Sequence, residues 1–237
     1  MIERHANLSP SAAGHDQLSL EDFERAGIRV AERRFGARDL IFAPGDPDGQ
    51  LYFVLDGTVR LYKIYGDCRE ATVALLTRGD VFGELGLEGT TRQHDFAEAI
   101  TASRVAVVRK ANLIEVVKRR PEFAMKLFSS FSKRLGRSEE TIESLLDREV
   151  STRLATLLSH LADRFGEPDG SATVLNVRLT HQDLANMVAS TREAVSKVMS
   201  EFRREGLIEM RGRRISVSPR LAQMRRGNPR SVPGAAA

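Results

Sequence analysis

Tryptophan is absent, tyrosine occurs three times and cysteine once, at Cys68. One cysteine excludes an intramolecular disulfide and any four-cysteine zinc or iron–sulfur site within the chain. The expected compartment is a reducing cytoplasm. Long apolar runs are lacking as well. The longest, at 51–55, falls far short of the roughly 20 residues that a membrane helix needs, so no membrane partner is expected. The first residues carry Glu3, Arg4 and His5 rather than an apolar segment, which argues against a signal peptide. No G-x-S-x-G, Walker A or H-E-x-x-H motif occurs, and no H-x-H that would open a cupin metal site. His5, His15, His94, His160 and His181 are scattered. Neither an enzyme nor a metal sensor is expected.

What is present fits a soluble globular chain. Of 237 residues, 41% are apolar and 29% charged, enough apolar content for one large domain or two small ones. The net charge of +4 is unevenly placed. Residues 203–230 hold nine arginines against Glu205 and Glu209, a net of +7, which leaves −3 for the rest. A basic block on a near-neutral body suggests a polyanion partner at that end, with a solvated charge run as the bland alternative.

The chain divides by texture. Residues 1–17 read as a flexible tail. Leu18, Phe23, Ala26 and Val30 suggest a short helix with Ser19 as a possible N-cap. Between 35 and 108, short apolar runs alternate with glycine-containing turns about every ten residues. That spacing predicts an antiparallel β-roll or sandwich over 18–118. Pro121 suits a helix start. Phe123, Leu127, Phe131, Leu135, Ser138, Ile142 and Leu145 then fall at spacings of three and four, a seam for a homodimer over 119–147. A helix packed on its own β-domain would show the same stripe, and both readings can hold together. Val150, Leu154, Leu157, Leu158 and Leu161 give another amphipathic helix, which Gly166, Pro168, Asp169 and Gly170 should end. A short strand is expected over 175–179. Residues 220–237 form a basic tail.

The sharpest pattern lies at 180–206, inside a unit spanning 148–219. Thr180 with Asp183 is close to a capping box, and Ser190 with Glu193 reads as a second one. Ala189 is a small residue at the turn between them. Val195, Val198, Met199 and Phe202 sit at i, i+3, i+4 and i+7, one buried stripe. The opposite face holds Arg192, Glu193, Ser196, Lys197 and Ser200. Arg pairs with guanine O6 and N7, Glu accepts from cytosine N4, and Lys reaches guanine or phosphate. Such residues at the N-terminal end of a recognition helix enter the major groove. A cap for its own helix is the equal alternative role for Glu193. Two short strands then flank a tip of Arg211, Gly212, Arg213 and Arg214, a wing that would grip phosphate without reading sequence.

A β-roll, a seam helix and a winged helix-turn-helix in one α+β chain resemble the CRP/FNR family of bacterial transcription regulators, across roughly 18–218. FGARDLIF at 35–42, PGD at 44–46 and FGELGL at 82–87 match its β-roll. Arg192-Glu193-x-x-x-Lys197 matches its recognition helix, where cyclic-AMP-dependent members carry Arg-Glu-x-x-x-Arg. The resemblance implies a homodimer on a pseudo-palindrome of double-stranded DNA with TGTGA-like half-sites, and contact with RNA polymerase. It also places Thr180, Gln182 and Thr191 near phosphates and Arg213 in the wing. Lys197 in place of arginine leaves one base preference open.

The same resemblance implies an effector site. FGELGL is similar to the phosphate-binding cassette of cyclic-nucleotide domains, in which the Gly83 and Leu85 amides would face phosphate and Glu84 the ribose. The arginine that completes that cassette is displaced here to Arg92, and Asp95 brings negative charge instead. Ser138 matches a hydroxyl position near adenine. Arg134 and Glu139 match ligand positions in a nitrogen-control subgroup that senses 2-oxoglutarate. The stretch 89–99 is similar to that of effector-independent members. No effector, or an unidentified one, therefore ranks ahead of cAMP, and 2-oxoglutarate third. The alternative to a gene regulator is a cyclic-nucleotide-binding module acting through protein contacts, which leaves Arg192, Lys197 and the arginine wing without a role.

Overall fold

The computed structural model describes residues 18–28, 30–47, 49–66, 68–84, 92–212 and 214–221. The expected flexible tail over 1–17, most of the basic C-terminal tail, Leu85 and Arg213 lie outside the described residues.

Helix α1 (Leu20–Arg25) starts at Ser19, whose backbone N–H donates to Asp22 at 2.9 Å. The helix is shorter than its apolar pattern suggests, because Gly27 turns the chain at φ +71° before Val30. Strands β1 (Ala31–Phe35), β2 (Leu40–Phe42), β3 (Gln50–Asp56), β4 (Val59–Tyr65), β5 (Arg69–Leu76), β6 (Val81–Phe82), β7 (Phe96–Ala99) and β8 (Ser103–Arg109) follow. They pair into two antiparallel sheets of order β1-β8-β3-β6 and β2-β7-β4-β5. Period-2 alternation explains the run at 51–55. Tyr52 and Val54 face the interior of the roll with Val105 and Val107, while Leu51 and Phe53 face the helical layer with Ala106 and Val108. Both faces are covered, so the strands read as continuous apolar runs rather than alternating ones.

Helices α2 (Lys110–Arg119) and α3 (Pro121–Leu145) form that layer. Arg120 leaves the helical region before Pro121 (φ −137°, ψ 79°), since proline disfavours a helical conformation in the residue preceding it, and this separates the two helices. The single seam expected along α3 is split. Phe123, Leu127 and Phe131 pack against Phe23, Phe53 and Val116 of their own chain. Met125, Phe128, Leu135, Ile142 and Leu146 form the exposed apolar edge, each more than 60% accessible. The first half of the predicted stripe is thus internal core. The outward seam is rotated toward Phe128, Leu135 and Ile142, which repeat every seven residues.

Helix α4 (Val150–Phe165) opens the C-terminal unit, with Leu154, Leu158 and Leu161 buried. The segment 166–179 departs from expectation. Gly166–Asp169 is a strand (β9) rather than a helix-ending loop, and it pairs with β10 (Ala172–Leu175) through Gly170 at φ +64°. Pro168 is accommodated because β9 lies at the edge of the sheet β11-β12-β10-β9. The strand expected over 175–179 is displaced toward the N-terminus, where β10 finds β12 as partner. Helices α5 (His181–Met187) and α6 (Arg192–Arg204) precede the hairpin β11 (Ile208–Arg211) and β12 (Arg214–Val217).

Polar links tie the two halves. Arg38 reaches from the roll to Asp183 on α5 with bonds of 3.1 and 2.8 Å, and to Glu98 at 3.3 Å. Asn186 donates to Glu70 of β5 at 3.1 Å. Arg164 of α4 donates to the Leu75 carbonyl at 2.5 Å and pairs with Asp80. Arg38 holds this position at φ +73°, a left-handed conformation that costs a non-glycine residue of order 1 kcal/mol or more.

Candidate nucleic-acid interface

The geometry of α5 and α6 follows from their caps. Thr180 is extended, accepts from the Asp183 N–H at 3.1 Å and donates its own N–H to the Asp183 carboxylate at 2.8 Å. Burial would raise the Asp183 carboxyl, but Arg38 and the Thr180 N–H and hydroxyl hold it below its usual value. At α6 the cap differs from the Ser190–Glu193 box expected. Thr191 is the N-cap, and its hydroxyl accepts from Ala194 N–H at 3.2 Å. With Ala194 at the third helical position no reciprocal acid exists, so Glu193 does not serve as a cap and projects to solvent. The turn between the helices passes through Ala189 at φ +48°, where its small side chain limits the strain.

One face of α6 is fixed in the core by Val195, Val198, Met199 and Phe202, all buried. The other exposes Arg192, Glu193, Lys197 and Ser200. Among the described residues the side chains of Arg192, Glu193 and Lys197 carry no hydrogen bond or ion pair. Ser196 is half-buried, and its hydroxyl lies 2.8 Å from Nδ1 of His181, the first residue of α5. That contact joins the two helices on the exposed side. His181 had no role legible in local sequence, because its partner is fifteen residues away on another helix. Thr180, Gln182 and Thr191 are exposed at the N-terminal ends of α5 and α6, where free backbone N–H groups suit an anion. Gln182 meanwhile donates to Asn186 at 2.8 Å.

In the wing, Arg211 and Arg214 are paired across the hairpin, and the tight turn uses Gly212 at φ +64°. Arg211 is engaged by Asp169 and lies 3.6 Å from Glu209, so it is less available than its sequence position suggests. Arg214, Arg203 and Arg204 are exposed on the same unit.

The residues expected at an effector site fall into two groups. Gly83 sits at φ +93°, and a Cβ there would lie 2.8 Å from the Tyr52 ring and 2.9 Å from the Gln50 carbonyl, so glycine is required. Glu84 is 2.5 Å from His94. Arg92 turns to the Gly45 carbonyl at 3.0 Å. Asp95 pairs with Lys63 at 2.8 Å, and this bond raises the lysine above its usual pKa. Arg134 and Ser138 instead line a separate cavity against α4, and Glu139 is exposed on α3. Among the described residues no group of three or more His, Cys, Asp or Glu is placed to hold a metal, and no helix is long and apolar enough to cross a membrane.

Comparison with known proteins matches this geometry at both ends. A cyclic nucleotide-binding domain matches residues 32–120, and a Crp-like helix-turn-helix domain matches 152–225. The global nitrogen regulator of Synechococcus elongatus is 32% identical over 212 residues, 86% of this chain and 88% of that protein. The CRP-like cAMP-activated global transcriptional regulator of Mycobacterium tuberculosis is 31% identical over 188 residues, 78% of this chain and 84% of that one. A transcriptional regulator of the CRP/FNR family from Thermus thermophilus superimposes with a TM-score of 0.68 at 30% identity, covering 83% of this chain and 98% of that chain. The relatives are regulators rather than enzymes and span nearly the whole described fold, so this chain belongs to the CRP/FNR family of DNA-binding transcription regulators.

Proposed function

We propose that the chain acts as a homodimer on pseudo-palindromic promoter sites, inserting α6 of each copy into successive major grooves. Arg192 reads guanine, Glu193 accepts from cytosine N4, and Lys197 reaches guanine or phosphate. Ser196, held by His181, sits one turn further along the same face. Thr180, Gln182 and Thr191 bind phosphates through helix N-termini. Arg211 and Arg213 hold the wing against the backbone, Arg211 after release from Asp169. The half-site is TGTGA-like by resemblance, and the bound dimer recruits or blocks RNA polymerase in the cytoplasm. The observation that carries this reading is the pairing state of α6: charges without protein partners on one face, a buried apolar stripe on the other.

The cyclic nucleotide-binding domain makes cAMP an admissible effector, yet the described cassette residues fit it poorly. Glu84 is engaged by His94, Arg92 is directed to a carbonyl, and Asp95 stands where the family's arginine would. Activity with no effector in the roll, or with an unidentified one, ranks first, cAMP second and 2-oxoglutarate third. Calorimetric titration of the full chain with cAMP and with 2-oxoglutarate separates these. The promoter reading is tested by electrophoretic mobility shift on a duplex carrying two TGTGA-type half-sites one helical turn apart. Binding should weaken steeply with salt, by about 0.9 in logarithmic slope per phosphate contact. Absence of a shift on such a duplex at low salt would sink the reading.

A further inference from the structure

The hydroxyl of Ser196 is used unlike those of Ser138, Thr141, Ser159 and Ser200. These four donate to the carbonyl four residues back in their own helix, at 2.9 to 3.1 Å, a common way for a helical hydroxyl to satisfy itself. Ser196 instead meets Nδ1 of His181 across the gap between α5 and α6, at 2.8 Å. It is half-buried, beside the buried stripe of α6, four residues beyond Arg192 and next to Lys197. Residues four apart on a helix are neighbours on its surface, and their side chains lean toward its N-terminus. The Ser196 hydroxyl therefore stands on the same side as Arg192, the residue proposed to read guanine. Nε2, the other ring nitrogen of His181, has no partner among the described residues.

A serine hydroxyl alone is an ambiguous reader of bases, because it donates and accepts with equal ease. A neutral imidazole loses that ambiguity once one nitrogen is fixed: a proton on Nε2 makes Nδ1 an acceptor, and the reverse. His181 stands between Thr180 and Gln182, both assigned to phosphates in the proposed complex, and an ionised phosphate oxygen accepts but does not donate. A neutral imidazole in that place keeps its proton on Nε2. Nδ1 then accepts from the Ser196 O–H, and the serine oxygen is left with lone pairs alone. We infer that His181 is a positioning residue for DNA reading. It fixes the Ser196 hydroxyl as a hydrogen-bond acceptor in the major groove, so that Ser196 selects a base that presents an amino group there, adenine through N6 or cytosine through N4. The inference rests on the promoter reading and adds a base-specific contact to it.

The test is a competition mobility shift with the full-length chain at about pH 8, where imidazole is ordinarily neutral. The DNAs are the duplex with two TGTGA-type half-sites and versions in which each base pair of both half-sites is changed in turn. The variants are Ser196→Ala, His181→Ala, the two combined, and His181→Asn, whose amide oxygen can accept at the place of Nδ1. Melting curves check that each is folded. Ser196→Ala should lose about threefold to tenfold of discrimination at one base pair and keep it at the others. His181→Ala should lose it at the same base pair, the combined variant should lose no more than either single one, and His181→Asn should restore most of it. At that base pair, purine in place of adenine, or 2-pyrimidinone in place of cytosine, removes the amino group alone. This deletion should cost wild type about threefold or more beyond what it costs Ser196→Ala. Unchanged discrimination in Ser196→Ala overturns the inference. So does a loss in His181→Ala that is uniform over all duplexes, which would make His181 a phosphate contact alone, or one that His181→Asn leaves unrepaired. Additive losses in the combined variant overturn it too. So does an amino-group deletion that wild type and Ser196→Ala feel equally, since the hydroxyl would then not be accepting. In each of these cases wild type still binds and the promoter reading stands, whereas no shift with wild type on any duplex at low salt sinks both.

Discussion

The exposed face of α6 and the rim of the β-roll cassette are both rich in charge, yet they differ in what stands opposite. Among the described residues around the cassette, Glu84 is answered by His94, Asp95 by Lys63 and Arg92 by the Gly45 carbonyl. Deeper in the roll, Arg60 is 4% exposed, pairs with Glu98 and Glu70, and lies over the Tyr62 ring at 4.1 Å. On α6 the hydrophobic stripe is buried, and among the described residues the side chains of Arg192, Glu193 and Lys197 have no protein partner. Desolvating an unpaired charge is costly, so proteins leave such groups in water unless a partner arrives. A charged surface that is already internally paired is stabilised as it is, whereas one left open is available to an external polyanion. The contrast puts the open charge on the C-terminal unit and the internally paired charge on the roll.

The strongest way to test that contrast is to attack the hidden face of α6. Phe202 is 3% exposed in the core cluster with Leu158, Met199 and Ile215. Phe202→Ala should cost about 3–5 kcal/mol of stability in the C-terminal unit, seen as a lowered calorimetric transition together with lost DNA binding. Arg192→Ala should do the reverse. It should leave the melting transition in place and cost about 1–3 kcal/mol at the cognate site, with little effect on random DNA. Competition mobility shifts measure this. Equal loss on both DNAs would mean that Arg192 touches phosphate alone, and a shifted transition would mean that its charge is structural.

Local periodicity made much of this legible in the sequence. The i, i+3, i+4, i+7 spacing of Val195, Val198, Met199 and Phe202 fixes one face of a helix without knowledge of the rest of the chain, and so fixes the other. The arginine hairpin was equally local, since its turn glycine and flanking apolar residues lie within ten positions. Features that depend on distant partners were not legible. The α3 stripe has the same period whether it meets its own β-roll or a second copy, and only the position of Phe23 and Phe53 shows that Phe123 and Phe131 turn inward. Strand β9 is made of Gly, Glu, Pro and Asp and is a strand only because β10 supplies its ladder. At the start of α6, Ser190 and Thr191 are both sound caps, and the register was decided by which of them is extended. Arg78, Arg134, Arg137 and Arg164 are separated by up to 86 positions, and only folding around Asp80 brings them together.

A smaller effect is expected where the two regions touch. Asp183 both caps α5 and accepts from Arg38, so Arg38→Ala should weaken docking of the DNA-binding unit by about 1 kcal/mol, reduced by the partial exposure of the arginine. Because the folded-state carboxyl lies below its usual value near 3.8, its stabilisation is present above that pH and is lost as pH falls through the lowered value. The difference in melting temperature between wild type and Asp183→Asn should therefore stay constant from neutral pH down to weak acid and shrink only below about pH 4. A difference that shrinks between pH 5 and 7 would point to a histidine and not to this pair.

The smallest effect belongs to the cassette itself. If the roll acts as a self-paired scaffold, Glu84→Ala removes one partly exposed hydrogen-bonded contact with His94 and should change stability by less than about 1 kcal/mol. DNA affinity in the absence of added nucleotide should stay within about twofold, because surface substitutions away from a binding face seldom exceed ±0.5 kcal/mol. Titrating cAMP into wild type and variant before a mobility shift makes the test two-sided. Unchanged affinity in all four conditions keeps the distinction between an open reader and a closed scaffold. A cAMP-dependent gain in wild type that Glu84→Ala abolishes would show that the His94 bond opens for a ligand. The charges of the roll would then be a latched binding site rather than a finished structure, and the two regions would differ in timing, not in kind.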